Sequence, residues 1–68
     1  MQKAVFVTKL SAALAIAERA KSLGMSNVDI AKHGRIYPHR VRGEMRGYCA
    51  FYPVQDGNNI VRNPIMES

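Results

Sequence analysis

The hydrophobic period changes once along this chain, near residue 35, and that change restricts the fold more than any other feature. Before it, residues 9–23 carry apolar side chains at helical spacing and five alanines, Ala12, Ala13, Ala15, Ala17 and Ala20. Alanine is the strongest helix former. After it, Ile36–Arg42 and Tyr48–Val54 are rich in β-branched and aromatic residues, which suit a pleated, half-buried surface. Helix first and strands afterwards imply an α+β fold. The expected architecture is one Ala-rich helix over about 9–23 packed on a three- or four-stranded antiparallel sheet.

The local signals fill in the remaining elements. Ala4–Val7 is a short apolar run that reads as a strand. Thr8 or Ser11 can cap the helix that follows, and Gly24 is a natural stop. At 100° per residue, Leu10, Ala13, Leu14, Ile16, Ala17, Ala20 and Leu23 fall on one half of the helix. That half is expected to face the core, its bulk coming from Leu10, Leu14, Ile16 and Leu23. Ser26-Asn27-Val28-Asp29 resembles a capping box and opens a short second helix over about 27–33; the alternative is a brief strand through Val28 and Ile30. Gly43–Gly47 supplies a hairpin loop, Asp56-Gly57 a second turn, and Ile60–Arg62 a returning strand. Pro38 and Pro53 each remove a ladder donor, which points to edges or bulges. Asn63-Pro64 is expected to end the last strand, leaving residues 63–68 as a loose tail.

At 68 residues this is a single small domain, spanning 1–68, that buries only about 60% of its unfolded surface. A second copy of the chain would relieve that shortage, so a homodimer is expected. A deep substrate pocket is not. The lone Cys49 rules out an internal disulfide framework. Leu10–Ala17 has the character of an export-signal core, but Lys9 interrupts the run and Glu18-Arg19 follows at once, against that reading. No apolar stretch approaches the length of a membrane span, and the expected location is the cytoplasm of a bacterial host.

The net charge is +5, and the excess is local. Lys32, Arg35, Arg40, Arg42 and Arg46 are opposed between residues 32 and 46 by Glu44 alone. Such a patch attracts phosphate backbones or an acidic protein surface; serving solubility alone is the plain alternative. With Arg42 placed opposite Tyr48, Arg40 faces Ala50 and Pro38 faces Tyr52. Alternation then groups Arg40, Arg42, Tyr48 and Tyr52 on one face and Tyr37, His39, Val41, Cys49 and Phe51 on the other. The second face is expected under the helix. The first is expected to be open, a basic surface with rings of the kind that binds phosphates and stacks bases. An ordinary solvent face, with Arg lying over Tyr, is the alternative, and a one-residue slip would exchange the two faces. The candidate binding residues are Arg35, Arg40, Arg42, Arg46, Tyr48, Tyr52 and Lys32.

Other chemistry is thinly represented. Residues 18–32 have some features of a helix-turn-helix, with Ala20 at the crossing, Gly24 in the turn and Ile30 buried. The second helix would be barely two turns long. Cys49 and His39 could share a sheet face, yet a working thiolate–imidazole pair also needs an orienting group and a cleft. One Cys with His33 and His39 does not make a zinc set. There is no Gly-rich phosphate loop and no acid pair at helical spacing. No enzymatic activity, cofactor or metal is expected.

The short strand Ala4–Val7, the Ala-rich helix Lys9–Leu23 and the meander Ile36–Arg62 together resemble the layout of small proteins encoded by phages and mobile elements, including some anti-CRISPR proteins. The resemblance covers most of the chain and carries no diagnostic motif. It implies a non-enzymatic inhibitor that blocks a host nucleic-acid-processing complex by occupying a surface. The basic patch departs from the acidic DNA mimics of that group. The alternative is a direct DNA- or RNA-binding regulator with a short helix-turn-helix and a wing.

Overall fold

The computed structural model describes residues 2–67; Met1 and Ser68 lie outside them. Two helices, α1 (Lys9–Ser22) and α2 (Asn27–His33), precede three strands, β1 (Arg35–Val41), β2 (Glu44–Asp56) and β3 (Asn59–Pro64). The strands form one antiparallel sheet in the order β1-β2-β3. This is the α+β layout that the change of period implies.

Both ends of α1 are closed by its own sequence. Ser11 N donates to Thr8 Oγ1 at 3.0 Å and Thr8 N donates back to Ser11 Oγ at 3.3 Å, a reciprocal capping box. At the other end Met25 N donates to Ala20 O and Gly24 N to Lys21 O, with Gly24 at φ +86°. That pair of bonds is a Schellman stop. Ser26 then caps α2, accepting from Asp29 N at 3.2 Å.

The core is a line of small side chains. Ala12, Ile16 and Ala20, one helical turn apart, are buried with Ile30 of α2 and Ala50 of β2. Phe6, Met25, Ile36, Tyr48, Tyr52 and Ile65 pack around them. The expected buried arc is therefore displaced. Ile16, Ala17 and Ala20 lie in or beside the core, but Leu10, Ala13, Leu14 and Leu23 are exposed and Ala12 takes their place. The reason lies in β2: its two core-facing rings, Tyr48 and Tyr52, stand on either side of Ala50. A helix can approach that sheet closely only with its smallest line of side chains.

The β1–β2 hairpin is tighter than expected. Its loop is Arg42-Gly43, between Val41 and Glu44, with φ +53° and +82°. Two successive residues with positive φ match the right-handed twist of the strands. Pro38 consequently pairs with Tyr48 and not with Tyr52, a slip of four residues. The register breaks between His39 and Arg40, leaving Arg46 as the extra residue of a bulge. Gly47 belongs to the strand, not the loop. A Cβ there would lie 2.5 Å from Phe6 O and 2.8 Å from Val5 Cγ1, so only glycine lets the N-terminal segment come so close. The second turn falls at Gly57-Asn58, as Asp56-Gly57 suggested.

Two expectations about the ends are corrected. Ala4–Val7 does not form a strand; it makes one isolated antiparallel bridge, Phe6 to Tyr48, and Lys3 just before it makes another to Met66. Phe6 and Tyr48 exchange two backbone bonds of 2.8 Å. β3 pairs with β2 only from Phe51 to Asp56, which leaves that edge free at Tyr48 for Phe6 to occupy. Nor are residues 63–67 loose. Asn63 and Pro64 belong to β3, Ile65 N donates to Ala50 O, and Glu67 N donates to Gln2 O. Pro38 lies on an edge strand, as its missing donor requires. Pro53 lies in the central strand but beyond Arg35–Phe51, the last β1–β2 pair, where β2 has a ladder partner on one side only.

Candidate functional site

The seven candidate binding residues separate into three places. Arg40, Arg42 and Arg46 gather at the β1–β2 hairpin, all exposed. Arg46 Nη2 pairs with Glu44 Oε2 at 3.0 Å, an exposed bridge that holds it loosely. Arg35 is half-buried and occupied: its Nη1 donates to Lys32 O and Gly34 O, 2.8 Å each. It closes the C-terminal end of α2, where carbonyls lack helical partners. Lys32 is exposed beside it. At about 3.3 Å per residue, Arg35 lies roughly 23 Å from Arg42, too far for one contact to use both.

Tyr48 and Tyr52 are the principal correction. They pack against the core beneath the helices, with Lys9 Nζ 5.9 Å from the Tyr48 ring centre and Arg19 Cζ 5.3 Å from that of Tyr52. The grouping of side chains into two faces was right along residues 35–39 and 48–52, because a slip of four residues preserves alternation. The helices cover the face of Tyr48 and Tyr52, not the expected face of Tyr37 and Phe51.

The uncovered face carries Tyr37, His39, Cys49 and Phe51. The rings of Tyr37 and Phe51 meet edge to face, centroids 5.5 Å apart and planes at 78°, a favoured aromatic geometry. Lys3 Nζ stands 5.3 Å from the centre of Phe51. His39 Nδ1 and Cys49 Sγ are 3.8 Å apart. Together with Arg40, Val5 and Glu67 these side chains line a groove of about 780 Å³. One wall comes from the N-terminal segment that Gly47 admits. Sequence reasoning missed Lys3 and Val5 here because their place depends on pairing of the N-terminal segment with Tyr48 and Met66, both far off in sequence.

A second uncovered surface lies on α1 and the residues just before it. Val7 is 86% exposed, Leu10 69% and Leu14 61%. Leu10 and Leu14 are one turn apart and form an apolar strip.

Among the described residues, no helix is long and apolar enough to cross a membrane, and no three His, Cys, Asp or Glu side chains gather as a metal site would require. No family model, curated protein or solved structure matches this chain.

Proposed function

We propose that this chain is a non-enzymatic binding protein that grips the phosphates of a nucleic acid through its β1–β2 hairpin. The observation that carries the reading is the convergence of Arg40, Arg42 and Arg46 on one exposed turn, opposed there by Glu44 alone. A guanidinium donates two parallel hydrogen bonds to a phosphate, and three of them on a narrow hairpin follow a backbone without needing a cavity. A recognition helix fits less well. α2 has seven residues, about 10 Å of helix, and its last turn is tied down by Arg35.

The role we propose is that of a small inhibitor, of the kind phages encode, acting in the cytoplasm of a bacterial host. By covering nucleic acid held within a processing complex, it would block that complex without chemistry of its own. A second copy of the chain is the partner we propose for α1. Val7, Leu10 and Leu14 offer an apolar strip that a two-fold axis can pair with itself, and the buried cluster is small for a chain that must fold alone.

The test is a salt titration of binding to nucleic acid by the wild type and by Arg40→Ala/Arg42→Ala. Affinity should fall steeply with salt, and each lost phosphate contact should flatten the slope by roughly one unit. The circular dichroism spectrum should not change. Normal binding by the double variant, with loss of binding on substitution of Glu18, Arg19 or Ser22, would move the working surface to α1 and refute the proposal.

A further inference from the structure

We infer that the uncovered sheet face is a stacking site for unpaired bases, so that the nucleic acid this chain binds is single-stranded. The inference rests on the phosphate-binding reading of the hairpin and adds a class of ligand to it. Both helices cover one face of the sheet. The other keeps two rings in edge-to-face contact, and Tyr37 remains 50% exposed in mid-strand. Tyr37, held on the sheet by its edge-to-face contact with Phe51, is a preformed ring, and every base has a π-face that can lie on it. Lys3 and Arg40 supply positive charge in the same groove, and β1 leads directly from Tyr37 to the hairpin arginines.

The rim also indicates which part of a nucleotide enters. Glu67 and Gln2 line the groove at the end away from the hairpin. A carboxylate repels a phosphate but accepts from an N–H on a base edge, such as thymine N3–H, and the Gln2 amide both donates and accepts. The base therefore belongs in the groove, with the backbone running toward Arg40 and Arg42. The groove volume of about 780 Å³ falls within the roughly 300–1,000 Å³ of ligand clefts. In a duplex the bases are stacked on one another and cannot present a face to this groove.

The experiment compares fluorescence anisotropy on three labelled probes: an oligothymidine, an abasic deoxyribose-phosphate oligomer of equal length, and a duplex. The wild type should bind oligothymidine roughly 5- to 150-fold more tightly than the abasic strand, the range for one stacked base. Tyr37→Ala should lose that factor on oligothymidine and change nothing on the abasic strand, whereas Tyr37→Phe should retain it. Equal binding of oligothymidine and abasic strand by the wild type overturns the inference and leaves the hairpin reading intact. Tighter binding to the duplex does the same. Binding to none of the three overturns both. The wild-type comparison decides even if Tyr37→Ala fails to fold.

Discussion

Gly47→Ala is the most demanding test of how this molecule is assembled, because one methyl group must displace the whole N-terminal segment. Gly47 has φ +145°, a region used almost only by glycine and costing about 1–3 kcal/mol for other residues. The added Cβ would also stand 2.5 Å from the backbone oxygen of Phe6. Phe6 must then retreat, and the two 2.8 Å bonds it exchanges with Tyr48 are lost, at about 1 kcal/mol each. The expected cost is about 3–5 kcal/mol, against roughly 0.05–0.15 kcal/mol per residue of total stability for a chain of this size. At 4–8 °C per kcal/mol, even the lower figure lowers Tm by about 12–24 °C. The control is Gly57→Ala: its φ is +62° with nothing within 4 Å of the new Cβ, so only backbone strain of about 1–2 kcal/mol applies. Calorimetry should separate the two variants clearly, and amide exchange at Phe6 and Tyr48 should accelerate selectively in Gly47→Ala. Equal Tm values for the two variants, or unchanged exchange at Phe6, would show that the N-terminal segment is not seated against β2 as described.

Three further outcomes follow from the packing of α1. Ala12→Leu overfills the contact with β2 and should cost about 1–3 kcal/mol, read as a fall in denaturant midpoint; a neutral result would mean that Ala12 does not face the sheet. Thr8→Ala removes the hydroxyl that caps α1 and should cost about 1 kcal/mol, or 4–8 °C in Tm. Leu10→Glu/Leu14→Glu should convert a dimer to a monomer in sedimentation velocity with little change in the far-ultraviolet spectrum. A wild type that sediments as a monomer well above micromolar concentration would remove the proposed self-association.

Much of the fold was legible because its signals are local. The change of period, a cap at Thr8 or Ser11, the Gly24 stop and the Asp56-Gly57 turn each act within a few residues; the structure takes Thr8 as the cap and has the others where the sequence places them. The hairpin loop was harder because Gly43 and Gly47 invite the same interpretation. Gly43 makes the turn, whereas Gly47 serves a distant backbone, and nothing near residue 47 announces a contact with residues 5 and 6. The pairing of Lys3 with Met66 joins opposite ends of the chain and leaves no local trace at either.

The site was half legible for a related reason: charge that is dense in sequence need not be dense in space. A strand advances about 3.3 Å per residue, so Arg35 and Arg42 are carried apart, while the turn at Arg42-Gly43 folds Arg46 back toward Arg40. Only the arginines around that turn can act together. The rings pose a subtler problem, since both faces of β2 carry aromatics and alternation cannot say which pair the helix covers. The helix line of Ala12, Ile16 and Ala20 packs on Ala50 between Tyr48 and Tyr52, and the face of Tyr37, Cys49 and Phe51 keeps an open groove. The aromatic surface therefore lies on the side opposite α1, where it meets the hairpin arginines through Arg40. That juxtaposition would make the proposed phosphate contact and base stacking a single continuous surface.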